Sequence, residues 1–212
     1  MIVRTSQILI ASVAAVALMA SAALAEATSF KMSPEQGGLN RIAFENDAPF
    51  EAITGVTSAV TGELKVDLAN PSAATGSLSI PVESIRTGIP MRDEHLQGAD
   101  WLDAKAHPTI SFTIDKVETK AKALADGKKV EATVSGNITI KGVTKPVKAK
   151  AFITFRKATE ETKKAWIKTD VLVVRAVFKL NIRDFGVNPP EHIAGVKVAD
   201  EVEVKVSLTP AM

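Results

Sequence analysis

Val130-Glu131-Ala132-Thr133-Val134-Ser135-Gly136-Asn137-Ile138-Thr139-Ile140 decides the fold class. Val130, Ala132, Val134, Gly136, Ile138 and Ile140 keep one parity, and polar residues fill the other. Successive side chains on a strand point to opposite faces, so this run makes one apolar face and one wet face. A second row follows in Val147, Ala149, Ala151, Ile153 and Phe155, across a connection at residues 141–146. On the N-terminal side Ile110, Phe112 and Ile114 share a face, and Asp126-Gly127 is a turn.

Farther out the same alternation recurs. Residues 41–45, 61–68 and 75–82 read as strands, the second ending at the Asn70-Pro71 turn. Residues 166–180 read as strand, and Val202, Val204, Val206 and Leu208 alternate with polar residues near the end of the chain. Residues 159–164 are charged and polar, a hairpin tip or a helical turn. Helical pattern is confined to short pieces at 82–86 and 91–97. Many long strands and few helices predict an all-β fold. Long strands favour a closed barrel over a sandwich, because closure removes exposed edges. The expectation is an antiparallel β-barrel of about eight strands with a short helical insert.

The chain has 212 residues and opens with a pattern that reads as a removable address. Arg4 supplies a positive start, residues 8–23 are apolar apart from two serines, and Ala23-Leu24-Ala25 fits a cleavage site before Glu26. The expected division is a signal peptide at 1–25 and one barrel domain at 26–212. Export to the periplasm follows, with no stable membrane span after cleavage, since the apolar run is short for a span. There is no cysteine, which excludes thiol catalysis, iron–sulfur sites and zinc–thiolate sites. The formal charge is +2 with acidic and basic residues interspersed, so no nucleic-acid partner is expected.

An eight-stranded barrel is filled by its own side chains or holds one small ligand. Filling needs bulk, and this chain has eight Phe, two Trp and no Tyr. Ala132, Gly136, Ala149, Ala151 and Ala176 are small members of the apolar rows. They either leave room for an apolar guest or merely fit the taper of the barrel. Parity alone does not say which face points inward, because a slip of one residue inverts it.

One stretch interrupts the strands. Residues 91–108 carry Arg92, Asp93, Glu94, His95, Asp100, Trp101, Asp103 and His107 between Pro90 and Pro108. Asp93 and His95, two apart on a short helix, do not face each other, and Ser84 and Ser111 sit in no nucleophile elbow. No H-x-x-x-H or H-E-x-x-H spacing supports a metal site, and no catalytic residue is assigned. Asp93 fits a helix N-terminal role, and Arg92 suits an ion pair with Asp100 or Asp103. The alternative for Arg92, Asp93 and His95 is contact with a ligand headgroup. Trp101 either plugs one end of the barrel or meets a ligand.

The motifs carry a resemblance. Thr87-Gly88, Met91-Arg92-Asp93-Glu94-His95-Leu96, Ala99-Asp100-Trp101-Leu102-Asp103 and His107-Pro108-Thr109-Ile110-Ser111-Phe112 follow one another in order. Gly136-Asn137-Ile138-Thr139-Ile140-Lys141-Gly142-Val143-Thr144-Lys145-Pro146-Val147 and Arg183-Asp184-Phe185-Gly186-Val187 complete the set. Together they resemble the signature of the YceI-like family of exported lipid-binding proteins, over residues 39–208. Two departures stand out: His107 replaces a usual tyrosine, and Arg183-Asp184-Phe185 is one residue tighter than the family spacing. The resemblance implies an extended lipocalin-like barrel that binds a long isoprenoid, such as a polyisoprenoid or quinone tail. Some members take fatty-acid-like amphiphiles, so a fatty acid or amide is a weaker alternative. It implies no catalysis, no required cofactor beyond the bound lipid, and a homodimer as an arrangement seen among members. The residues expected to bind the ligand are Phe44, Leu78, Ile80, Ile110, Phe112, Ile114, Val134, Ile138, Ile153, Phe155 and Phe178 on the wall, with Arg92, Asp93, His95 and Trp101 from the insert. The rival reading is a ligand-free, stress-related or protein-interaction barrel with a solid core.

Overall fold

The computed structural model describes residues 27–36 and 38–212; the expected signal peptide at 1–25 lies outside the described residues. Ten strands form one antiparallel sheet: β1 (Thr28–Met32), β2 (Arg41–Ala48), β3 (Glu51–Thr57), β4 (Thr61–Val66), β5 (Thr75–Pro81), β6 (Thr109–Thr119), β7 (Lys129–Ile140), β8 (Val143–Arg156), β9 (Val171–Asn181) and β10 (Glu201–Leu208). Their spatial order is β1-β4-β5-β6-β7-β8-β9-β10-β2-β3. The sheet curls into the expected lipocalin-like barrel, with two strands more than the sequence suggested. β1 is only five residues long, and β3 is interrupted by Gly55, so neither shows a long apolar alternation.

The barrel does not close through a continuous ladder. β1 and β3, the two ends of the order, do not pair with each other. Short bridges cover their edges instead. Val56 of β3 exchanges two backbone hydrogen bonds with Arg86, at 2.8 and 2.9 Å, and Lys31 of β1 exchanges two with Ala211, at 2.7 and 2.9 Å. Edges so covered no longer offer a template for another chain.

β7 and β8 are joined by two residues. Lys141 and Gly142 have φ of 49° and 75°, the geometry of a tight hairpin turn that matches strand twist. Strand β8 therefore begins at Val143, inside the stretch expected to be a connection. The His107 ring rests on this turn: a Cβ on Gly142 would lie 2.7 Å from its Cε1. Strand β9, in contrast, starts later than expected, at Val171. Trp166 has a left-handed φ of 66°, which takes residues 166–170 out of the strand, and the preceding charged segment is a short helix, α2 (Glu160–Lys164). The insert forms α1 (Pro90–Gln97), as its pattern indicated.

The outer face pairs charges across strands, as Lys205 does with Glu45, Lys179 with Glu201, and Lys150 with Glu131, and along β10, where Lys205 also meets Glu203. Glu201 and Glu45 hold the ammonium groups of Lys179 and Lys205 above the usual lysine range. A wet outer face assigns the apolar parity to the inside. One end of that inside is packed solid: Phe30, Met32, Val60, Phe155, Leu172 and Leu208 are all less than 5% exposed. The Phe30 and Phe155 rings meet edge to face, 6.4 Å between centroids. The C-terminal tail straps this end, with Leu172 donating to the Pro210 carbonyl at 3.0 Å.

Candidate functional site

Above the plug the barrel is hollow. A cavity of about 550 Å³ runs between the sheet walls. Leu64, Val66, Leu124, Leu172 and Leu208 form its floor. The walls are residues of β2, β3 and β5 to β10. Many of them, including Phe112, Val134, Ile153, Val174, Ala176 and Phe178, are only half-buried although they point into the barrel. Side chains in a packed core are fully covered by their neighbours. These are not, because they border empty space.

Two devices keep the space open. Ala132, Ala151 and Ala176 lie side by side in register across β7, β8 and β9. Ala176 is half-buried against the cavity, Ala149 and Ala151 reach its edge but are themselves covered by neighbours, and Ala132 is buried outside it, so this belt thins the wall. The second device is glycine under aromatic rings. A Cβ on Gly55 would lie 2.1 Å from the Phe44 ring, and one on Gly136 would lie 2.5 Å from the Phe112 ring. Each ring therefore lies flat over a glycine, where a larger residue would push it into the lumen. The space that Gly136 leaves is filled by Phe112, and does not add to the cavity directly.

A bulge in β6 extends the wall. Ile114 pairs with Gly136 and Lys116 with Ser135, so one residue is skipped and Val117 also turns inward. Beyond β9 a 3-10 turn (Ile182–Phe185) brings Phe185 and Val187 to the lumen. Asn181 caps it by accepting from the Arg183 N–H at 2.8 Å, and Gly186 ends it at φ 71°. Phe185 packs with Ile138 and Ile140. The loop after it contributes Ile193 and Val198. That loop is held by buried Asn46, whose amide donates to the Ala199 carbonyl at 2.6 Å and accepts from the Ala199 N–H at 2.9 Å.

The mouth is marked by residues that both line the cavity and reach the surface. Ile89 and Met91, at the start of α1, are 47% and 66% exposed. The ionisable residues of the lining, Glu51, Arg92, His95 and Lys197, all gather here. Arg92 pairs with Glu51, which ties α1 to the start of β3; the expected partners Asp100 and Asp103 are not used. Asp93 points away from the lumen. Its Oδ1 accepts from both the Thr87 N–H and the Thr87 hydroxyl, each at 2.7 Å. The Thr87 hydroxyl holds the Asp93 carboxyl below the usual range, against a desolvation penalty, with help from the Thr87 N–H and from Arg86 and Arg92.

The structure thus brings most of the expected residues to one cavity. Phe44, Leu78, Ile80, Ile110, Phe112, Ile114, Val134, Ile138, Ile153 and Phe178 line the cavity, and Arg92, His95 and Trp101 sit at its mouth end. Phe155 does not: it is the last inward residue of its row and belongs to the plug with Phe30. Asp93 does not either, because it staples the start of α1 to Thr87. Val202, Val204 and Val206 of β10, whose alternation is legible in the sequence, also line the cavity. Ile193 and Val198 had no such signal, since they sit in a loop. Among the described residues no cluster of three or more His, Asp or Glu side chains comes together as metal ligands would, and no helix is long and apolar enough to cross a membrane.

The comparisons with known proteins agree with this geometry. A UPF0312 protein of Pectobacterium carotovorum is 34% identical over 141 residues, 66% of this chain and 69% of its own length. The crystal structure of Burkholderia cenocepacia BcnA superposes with a TM-score of 0.63 at 22% identity, over 82% of this chain and 96% of that one. A polyisoprenoid-binding domain from Saccharophagus degradans, implicated in plant cell wall breakdown, superposes with a TM-score of 0.61 at 16% identity, over 87% and 98%. At such identities the two structures speak for the fold alone. The family described as the YceI-like domain matches residues 37–209, and the chain belongs to that family.

Proposed function

We propose that this protein binds a long isoprenoid lipid, a polyisoprenoid or quinone tail, inside the barrel and carries it through the periplasm. The observation that carries the reading is the hollow: an apolar lumen whose inward side chains are half-buried for want of neighbours. Its volume of about 550 Å³ falls within the usual range of ligand sites. Each methylene moved from water into such a lumen contributes about 0.8 kcal/mol. A long tail therefore binds tightly without any directed contact, and the polar groups at the mouth are left to meet a headgroup. Arg92, His95 and Lys197 supply hydrogen-bond donors for it, while Glu51 holds Arg92 in place. The binding domain from Saccharophagus degradans supports the isoprenoid as the class of guest. The reading assigns no catalytic group.

Export is supported by the Ala23-Leu24-Ala25 pattern before Glu26. One preparation tests both halves of the proposal. The protein is purified from the periplasm of a producing bacterium, its N-terminus is sequenced, and an organic extract is analysed by mass spectrometry. The expected result is a chain starting at Glu26 that releases a stoichiometric isoprenoid. An intact Met1 overturns the export reading. A protein that yields no lipid, and takes up none when offered an isoprenoid quinone in detergent, overturns the carrier reading in favour of a ligand-free barrel.

A further inference from the structure

The end of the barrel opposite the mouth carries a concentration of positive charge. Two neighbouring loops form it. Residues 120–129 hold four lysines against one aspartate, and residues 156–170 hold five Lys or Arg against three Asp or Glu. That surplus of five exceeds the +2 of the whole chain, so the remainder is acidic on balance. The loops are locked together: the Lys157 N–H donates to Asp126 at 3.0 Å, and the Gly127 N–H donates to the Phe155 carbonyl at 2.9 Å. All nine basic side chains are exposed. Among the described residues only Lys163 of the nine is in an ion pair, with Glu160.

At the apex stands Trp166, 84% exposed, the most exposed large apolar side chain of the described residues. Its placement is built. Thr159 and Thr162 form a reciprocal cap on α2, the Trp166 N–H donates to the Lys163 carbonyl at 3.1 Å, and the left-handed backbone turns the ring outward. The Lys168 ammonium lies 5.8 Å from the ring centroid.

We propose that this end docks on the surface of an anionic lipid bilayer, with the lysines meeting headgroup phosphates and Trp166 entering the interface. Charge complementarity selects the partner, since cations near an anionic leaflet are attracted over a Debye length. The indole selects a bilayer over other polyanions, because an amphipathic ring belongs at the boundary between headgroups and chains. Strand β7 separates these loops from the Lys141–Gly142 turn beside the mouth; its 12 residues span about 40 Å. Docked this way, the mouth faces away from the membrane and stays open to a partner or to a lipid donor. The inference does not depend on what the cavity holds.

The test is cosedimentation with vesicles of phosphatidylcholine, with and without one-third phosphatidylglycerol, across a salt series. Wild type and variants are compared in the same purified form. The expected result is binding to the anionic vesicles alone, weakening as salt rises. The triple variant Lys163→Glu, Lys164→Glu, Lys168→Glu should lower affinity on the order of a hundredfold. Tryptophan emission should shift to the blue on binding, and Trp166→Phe should abolish that shift while keeping the salt-dependent attraction. Thermal melting of each variant confirms that the barrel is intact. Equal binding to neutral vesicles, unchanged binding of the triple variant, or a shift that survives Trp166→Phe overturns the proposal. Tighter binding to duplex DNA than to anionic vesicles at the same salt also overturns it, and assigns the patch to a nucleic acid.

Discussion

The two halves of the barrel interior are built from the same strands and the same alternation, yet one is solid and the other hollow. At the plugged end the inward positions hold Phe30, Phe155, Leu172 and Leu208, all but wholly covered. In the middle, four to six residues away along β8 and β9, they hold Ala149, Ala151 and Ala176, and on β2 and β6 Phe rings laid over glycine. Whether a barrel stores a ligand or only itself is therefore decided by side-chain volume at a few inward positions, and by whether a tail such as residues 209–212 straps the end.

The largest effect that would break this contrast is at the plug. Phe155→Ala should cost about 3–5 kcal/mol, because a filled site is left as a cavity. Phe112→Ala, at a half-buried position of the wall, should cost about 1–2 kcal/mol, because less packing is lost. Urea unfolding of lipid-free protein measures both, and equal costs would erase the distinction between plug and wall.

The alanine belt offers a finer comparison. Ala151 is 0% exposed while its neighbour in register, Ala176, is half-buried against the lumen. Ala151→Phe should overpack and cost about 1–3 kcal/mol. Ala176→Phe should leave the unfolding midpoint of lipid-free protein within experimental error and expel the bound lipid, read by mass spectrometry. Since bound ligand raises the midpoint, loaded and lipid-free samples are measured separately. Retention of lipid by Ala176→Phe would show that the free volume lies elsewhere.

The smallest effect is at the mouth. Asp93→Asn weakens the two bonds from Thr87 and should cost a few tenths to about 1 kcal/mol at neutral pH, with lipid content unchanged. The folded-state carboxyl titrates below its ordinary value of 3.8. Its contribution is therefore present above that value and lost as pH falls through the lower folded-state one. Wild type and variant should converge in acid, below about pH 4. Lost lipid with unchanged stability would instead make Asp93 a headgroup contact.

Much of this was legible in the chain. The rows from Val130 to Ile140 and from Val147 to Phe155 need only the two-residue period of a strand, a local property, and the structure keeps them as β7 and β8. The insert was legible for the same reason, since proline and charge mark α1 without reference to anything distant. β1 and β3 were hidden because their stability comes from partners, not from their own pattern. Phe30 is held by Leu64 opposite it and by Phe155, and Gly55 exists to admit the Phe44 ring.

By itself, then, the sequence determined the all-β class, the alternating rows of the long strands and the family motifs, because each is written in residues a few positions apart. The tertiary structure alone decided what those rows enclose. Phe155 plugs while Ile153, two residues before it, lines a cavity, because only Phe155 meets Phe30 from the far end of the chain. Asp93 faces Thr87 instead of the lumen, while Arg92 beside it reaches Glu51 on β3. Filled and empty space depend on contacts between residues more than a hundred positions apart, and no local period encodes them.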